Sequence, residues 1–204
     1  MFSFAEKLAA RGFVCLTFDM RGHGATGGEL EQLSRQDFLT DVTAAYDFLA
    51  AQPGVDASRI TVIGSSFGGY MTALLSAERP VHAVVLRVPA DYRDEQFDIP
   101  LVEAKQRQGG FEWKTMPHDK TETAALRAIH VFKGRILIVE SEKDEVVPGA
   151  LVKSYGNAAS FPERLTYAVM IGAPHTTHKF PKFVAQYENI VCAWLSRDTY
   201  ESPR

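Results

Sequence analysis

The sequence predicts an α/β protein in which helices flank a mostly parallel, twisted sheet. Short apolar runs rich in β-branched residues alternate along the chain with amphipathic segments, as in the strand and helix units of parallel sheets. Glycine and proline punctuate many of the junctions. The chain has 204 residues, 46% of them hydrophobic and 23% charged, which suits an ordinary globular protein with one sizeable core. We therefore expect a single domain over residues 1–204.

The first elements follow from local patterns. Residues 2–10 have helical spacing and stop before Gly12, a residue that can adopt a left-handed helix-ending conformation. Residues 13–18 form a short apolar run typical of a strand buried on both faces. Residues 35–51 repeat apolar positions at intervals of three and four, and Pro53-Gly54 ends this predicted helix.

The remaining elements continue the same alternation of continuous apolar strands and amphipathic helices. Predicted strands lie at residues 60–64, 83–88, 136–140 and 165–171, and predicted helices at 69–77, 150–159 and 180–195.

A long interval, about residues 90–132, separates two of the predicted strands. It exceeds an ordinary connection and mixes aromatic with charged residues, so we expect a small lid-like insertion. Its aromatic residues Phe97, Phe111 and Trp113 suit either the lining of an acyl pocket or core packing.

Charge and cysteine usage narrow the classes of partner. The formal net charge is -3 without a basic run, which argues against nucleic acid and anionic membranes and favours a small, neutral or weakly polar ligand. No long apolar stretch or signal-peptide pattern is visible, so a cytoplasmic location is expected. Cys15 and Cys192 lie in apolar surroundings and are predicted to be buried free thiols. No residue spacing indicates a metal site.

The strongest local signal is Gly64-Ser65-Ser66-Phe67-Gly68, a G-x-S-x-G turn between a predicted strand and a predicted helix. Such a turn strains the serine backbone and exposes its hydroxyl, and Gly64 and Gly68 would allow neighbouring segments to approach closely. Ser66 is therefore the candidate nucleophile. The backbone N–H of Phe67, at the helix start, is a candidate half of an oxyanion hole. The alternative is a tight turn in which Ser65 or Ser66 caps the helix.

A serine nucleophile needs a base, and the base needs a carboxylate that fixes its tautomer. Asp144 follows the predicted strand 136–140 and is the candidate acid, with Glu142 and Glu145 as rivals and Glu140 as a weaker one.

The candidate base is His175, which follows the last predicted strand. The chain order serine, aspartate, histidine, each just after a strand, favours this assignment. His178 is the runner-up.

Four motifs together resemble the α/β-hydrolase superfamily, specifically its dienelactone-hydrolase-like and serine-peptidase-like branches. They are Asp19-Met-Arg-Gly-His-Gly24, Gly64-Ser-Ser-Phe-Gly68, Glu142-Lys-Asp-Glu-Val-Val-Pro148 and Gly172-Ala-Pro-His175. The resemblance implies that Ser66 is the nucleophile, Asp144 the acid and His175 the base. It also implies that the loop containing His23 is structural. Gly68-Gly69-Tyr70-Met71 is further similar to the serine turn of prolyl-oligopeptidase-like enzymes.

The sequence departs from the superfamily at its front. Such hydrolases have two earlier strands and then a third, whose loop donates the second oxyanion N–H and which lies between the strands predicted here at 13–18 and 60–64. Without that third strand the sheet would have a gap lined by unpaired backbone N–H and C=O groups, and each such group costs about 1 to 3 kcal/mol of stability when buried. Direct pairing of the flanking strands, a strand lent by a partner chain in a homodimer, or a protein that starts upstream would close it, and we favour the last.

The expected activity is hydrolysis of a small carboxylic ester, thioester or related acyl compound through an acyl-enzyme intermediate, without a cofactor. A peptidase of the prolyl-oligopeptidase-like type is the second interpretation. A third is a non-catalytic hydrolase-like scaffold that binds a ligand or partner, which the missing oxyanion donor favours.

Overall fold

The computed structural model describes residues 2–107 and 110–196, and its centre is a sheet of four parallel strands. The strands are β1 (Thr61–Ser65), β2 (Ala83–Arg87), β3 (Arg135–Lys143) and β4 (Leu165–Pro174). They lie in the spatial order β1-β2-β3-β4, with every neighbouring pair parallel. This arrangement confirms the predicted fold class.

Eight α-helices accompany the sheet in the described part of the chain. They are α1 (Phe2–Ala9), α2 (Arg35–Ala50), α3 (Phe67–Glu78), α4 (Leu101–Arg107), α5 (Gly110–Thr115), α6 (Ala124–Val131), α7 (Gly149–Ala158) and α8 (Pro181–Ser196). Helix α2 begins with a capping box in which Ser34 and Asp37 satisfy each other's backbone N–H groups. No described helix combines the length and apolarity needed to cross a bilayer.

The alternation of side chains along each strand divides the core between the two faces of the sheet. Val84 and Leu86 of β2 face a cluster built by α2, α3, α6 and α7. Ala83 and Val85 face the opposite side, where α1 and α8 pack. Helices therefore cover both faces, which explains why β2 is buried at every position.

The predicted strand at residues 13–18 is wrong, because this segment forms neither a strand nor a ladder with β1. An extended apolar segment is stable as a strand only when a neighbour accepts its backbone hydrogen bonds, and the described residues contain no strand to bridge it to β1. Three of its apolar side chains instead face outward, with Phe13, Val14 and Phe18 exposed at 38%, 61% and 46%. Direct pairing of the two flanking segments is thus ruled out, while the other two closures stay predictions.

The cysteines are free, but the expected burial is wrong for Cys15. Cys15 is exposed because the segment that carries it does not join the sheet, whereas Cys192 is partly buried on α8.

The insertion is largely helical, and its parts differ in how they pack. Helix α6 contributes Leu126 and Ile129 to the main core, so it belongs to the helical layer over the sheet. Helices α4 and α5 precede it and flank residues 108 and 109, which lie outside the described residues, as does the side chain of Phe111. A lid-like role for this part stays a prediction.

Candidate active site

The carboxyl ends of the four parallel strands meet at one edge of the sheet, and each strand delivers a polar residue there. Ser66 follows β1, Arg87 ends β2, Asp144 follows β3 and His175 follows β4. Ligand sites of open α/β sheets form at this edge.

The turn between β1 and α3 holds Ser66 in a strained backbone conformation. Its φ of 55° and ψ of -119° lie in a region that non-glycine residues rarely occupy, at a cost of roughly 1–3 kcal/mol. Gly64 makes the turn possible, because a Cβ there would lie 2.2 Å from the carbonyl oxygen of Gly68. The expectation that Gly68 also relieves a close approach is wrong, since a Cβ at Gly68 meets nothing within 4 Å. The close approach is instead at Gly69, where an added Cβ would lie 3.0 Å from Cα of Pro89.

The last residue of β2 and the segment after it hold the strained serine through backbone hydrogen bonds. The N–H of Ser66 donates to the carbonyl oxygen of Arg87 at 2.9 Å, and the carbonyl oxygen of Ser66 accepts from the N–H of Ala90 at 3.0 Å. Val88 has a positive φ of 38°, which is unusual for a β-branched residue, and this bend brings Ala90 back towards the serine.

The hydroxyl of Ser66 is not engaged in capping. It makes no hydrogen bond to α3, and the hydroxyl of Ser65 accepts from Arg87 instead, so the alternative in which either serine caps the helix is wrong. Among the described residues, no acceptor is bonded to the N–H of Phe67 at the start of α3. A nucleophile candidate and an unoccupied donor therefore lie side by side at a helix N-terminus.

Asp144 and His175 form a close pair. Nδ1 of His175 lies 2.8 Å and 3.0 Å from the two carboxylate oxygens of Asp144. The carboxylate also accepts from the N–H groups of Val147 at 2.7 Å and Val146 at 2.9 Å. Burial alone would raise the pKa of Asp144, but the hydrogen bonds from His175, Val147 and Val146 outweigh it, so the pKa is lowered. An ionised Asp144 keeps the proton of a neutral His175 on Nδ1, which leaves Nε2 as a base.

Two of the three rival carboxylates bind backbone N–H groups at the end of β4 and just after it, and the third binds a tyrosine hydroxyl. Glu142 accepts from the N–H of Gly172 at 2.8 Å, and Glu145 accepts from the N–H of His175 at 3.2 Å. Glu140 accepts from the hydroxyl of Tyr167 at 2.5 Å. Three carboxylates thus hold neighbouring groups, and Asp144 is the one that reaches the imidazole.

The other histidines differ from His175 in their contacts. Within the described ranges, no hydrogen bond or ion pair joins His178 to a carboxylate. His23 is bonded through Nδ1 to the backbone carbonyl of Arg21 at 3.2 Å, which suits a structural loop. His118 pairs with Glu122 at 2.9 Å, but its Nε2 is buried without a hydrogen-bond partner among the described residues. No group of three metal-ligating side chains occurs in the described part of the chain.

Arg87 is the site residue that the sequence analysis missed. Its guanidinium donates to the hydroxyl of Ser65 and to the carbonyl oxygen of His175, so it connects the serine turn with the histidine loop. A single charge at the end of the otherwise apolar segment Ala83-Val-Val-Leu-Arg87 was the available signal.

Comparison with known proteins agrees with this architecture. The model of the prolyl oligopeptidase family matches residues 1–198. The chain belongs to this family. Its fold is that of the α/β hydrolases, since the structure of the Paleococcus ferrophilus monoacylglycerol lipase superimposes with a TM-score of 0.69 at 18% identity, covering 95% of this chain and 87% of that one.

Two curated relatives extend the comparison. An uncharacterized protein of Mycobacterium tuberculosis is 29% identical over 174 residues, which cover 84% of this chain and 56% of the relative. The thermostable monoacylglycerol lipase of Bacillus sp. strain H-257 is 25% identical over 170 residues, which cover 71% of this chain and 64% of the lipase. The chain thus spans between half and two thirds of the length of these relatives.

Proposed function

We propose that the protein is a serine hydrolase that cleaves a small carboxylic ester, thioester or related acyl compound. The observation that carries the proposal is the pairing of His175 with Asp144 at 2.8 Å, at the same edge of the sheet as a strained serine whose hydroxyl is not hydrogen-bonded to any other described residue.

The proposed reaction proceeds through an acyl-enzyme. The hydroxyl oxygen of Ser66 attacks the acyl carbon while Nε2 of His175 takes its proton, and Asp144 stabilises the resulting imidazolium. The N–H of Phe67 donates to the oxyanion of the tetrahedral intermediate. The imidazolium then protonates the leaving group. In the second half, His175 deprotonates a water that attacks the acyl-serine ester, and the carboxylic acid leaves with the serine restored.

Two findings bear on the substrate class. The Bacillus relative is named a monoacylglycerol lipase, which supports a carboxylic ester. The family match supports a second candidate, a peptidase acting on short peptides, since the same machinery can attack an amide.

The test compares p-nitrophenyl esters of short acids with aminoacyl p-nitroanilides, and measures labelling by a fluorophosphonate probe. Ser66→Ala and His175→Ala are expected to lower ester turnover on the order of 10³-fold or more. Matched controls are Ser76→Ala, which removes another hydroxyl of α3, and His178→Ala, which removes the runner-up base. Both should retain activity.

Each outcome assigns a different function. Faster cleavage of the anilides than of the esters would make the protein a peptidase. Failure of the folded protein to label at Ser66 would favour the non-catalytic scaffold. Loss of activity in His178→Ala with retention in His175→Ala would move the base to His178.

A further inference from the structure

We propose that Arg87 is a positioning residue for this hydrolysis, because its guanidinium ties the turn that carries Ser66 to the loop that carries His175. The proposal rests on the proposed function and adds a residue that acts through the nucleophile and the base without touching the substrate.

The contacts of Arg87 span three strand ends. One terminal nitrogen donates to the hydroxyl of Ser65 at 2.9 Å. The other donates to the carbonyl oxygen of His175 at 2.7 Å, with the hydroxyl of Ser141 at 3.1 Å and the carbonyl oxygen of Pro174 at 3.4 Å. The backbone carbonyl of the same arginine accepts from Ser66. Arg87 therefore contacts the nucleophile turn with its main chain and its side chain, and the histidine loop with its side chain.

The burial of the Arg87 charge without a carboxylate partner is unusual for a residue that only stabilises the fold. It is only 6% exposed, yet no carboxylate of a described residue forms an ion pair with it. Its Nε is buried without a hydrogen-bond partner in the described part of the chain. Its hydrogen-bond partners are all neutral, and burial lowers the pKa of Arg87 despite the attraction of Tyr187 and Asp144. Such a buried cation costs folding free energy, and an apolar side chain of similar volume is often better for stability. The planar, forked guanidinium has a different advantage, because its two terminal nitrogens can hold two separate segments at a fixed distance.

Substitution by lysine separates positioning from charge. A lysine side chain at this position would keep the charge and most of the length, but its single nitrogen cannot reproduce the two-pronged link between Ser65 and His175. We expect Arg87→Lys to fold normally and to lose about 10- to 100-fold in kcat with KM nearly unchanged, because a displacement of about 1 Å of a reacting group has effects of this size.

The matched control is Arg135→Lys at the opposite edge of the same sheet. Arg135, like Arg87, donates to a backbone carbonyl, that of Trp194 at 3.1 Å. Both guanidinium groups lie over an aromatic ring, that of Arg135 over Trp194 at 4.2 Å and that of Arg87 over Tyr187 at 6.0 Å. Its substitution should leave kcat unchanged. Equal kcat in wild type and Arg87→Lys, or equal losses in the two lysine variants, would overturn the proposal.

A double-mutant cycle tests whether the effect passes through the base. The rate of fluorophosphonate labelling should fall with Arg87→Lys in the wild-type background, but not further in the His175→Ala background. The same loss in both backgrounds would mean that Arg87 only supports the fold of the serine turn, and would refute the proposal.

A spectroscopic readout separates failure of this proposal from failure of the proposed function. The NMR signal of the Nδ1 proton shared by His175 and Asp144 should shift in Arg87→Lys and stay in place in Arg135→Lys. This result would support the link between Arg87 and the imidazole even if the wild type hydrolysed none of the esters. An unshifted signal would overturn it even if the wild type were an active esterase.

Discussion

Substitution of Gly64 by alanine is expected to disable the serine turn, although the change adds a single methyl group. The new Cβ would lie 2.2 Å from the carbonyl oxygen of Gly68 and 2.4 Å from the hydroxyl of Thr72. The threonine side chain can rotate, but Gly68 is backbone of the first turn of α3. The turn must therefore retreat by about 0.8 Å to reach a tolerable contact, which overpacking studies place at about 1–3 kcal/mol of stability.

The same displacement moves Ser66 relative to His175, so ester turnover should fall by up to about 100-fold. The assay combines urea unfolding with p-nitrophenyl ester turnover. Gly68→Ala is the matched control because a Cβ there meets nothing within 4 Å, and it should hold or raise stability by about 0.4–1 kcal/mol. Equal behaviour of the two alanine variants, or an active and stable Gly64→Ala, would refute the steric argument.

Three further predictions concern carboxylates and a helix cap. Asp144→Asn should lower ester turnover by about 10³- to 10⁴-fold with the fold retained, because an amide no longer holds the required tautomer of His175; turnover close to wild type would contradict the assignment of the acid. Burial raises the pKa of Asp91 to about 7 against the opposing hydrogen bonds from Thr123 and its neighbour's N–H. Asp91 thus keeps its proton to higher pH in the folded protein than in the unfolded chain, so stability should fall as the pH rises from about 4 to about 7. Asp91→Asn should flatten that fall in urea unfolding measured across the interval, and an unchanged slope would show that Asp91 is not its source. Ser34→Ala removes the acceptor for the first turn of α2 and should cost about 0.5–2 kcal/mol by urea unfolding, with an unchanged midpoint as the contrary result.

The fold was predictable where a segment carries its own pattern. The four strands found near residues 60–64, 83–88, 136–140 and 165–171 each carry a short apolar run typical of a parallel sheet. Strand β4 is the last in the sheet order and leaves Val169 and Ile171 exposed. Residues 13–18 have the same pattern, but whether such a run becomes a strand depends on a neighbour elsewhere in space. The composition of residues 13–18 carries no information about a neighbouring strand, so it could not show that this segment stays outside the sheet.

The positions of the candidate site residues were predictable for a topological reason. Parallel strands place their carboxyl ends at one edge, so residues that follow β1, β3 and β4 gather there whatever the details of their loops. The sequence named Asp144 as the candidate acid and kept Glu142 and Glu145 as rivals, because all three lie within the same short segment. The structure separates them by their partners, since Asp144 is the one paired with the imidazole of His175. Only the structure shows that the two glutamates bind backbone N–H groups of Gly172 in β4 and of His175 just after it.

The features that lower the stability of the folded protein, strained backbone conformations and a buried charge, lie at the edge of the sheet where the candidate site residues meet. In the described part of the chain, the two non-glycine residues with positive φ are Ser66 and Val88, which follow β1 and β2 at this edge. The guanidinium of Arg87 is buried at the same edge, where it donates to the hydroxyl of Ser65 and the carbonyl oxygen of His175. A residue held in a rare backbone conformation, such as Ser66 or Val88, costs about 1–3 kcal/mol. A fold under selection for stability alone would relieve such positions, since a glycine in place of Ser66 or an apolar side chain in place of Arg87 requires no change of topology. These destabilising residues lie at the same edge as the Asp144–His175 pair, as expected if this edge of the sheet is retained for function. The rest of the sheet has no non-glycine residue with a positive φ in its described part, so local sequence pattern and fold agree there. That agreement is why its strands could be predicted from their apolar pattern.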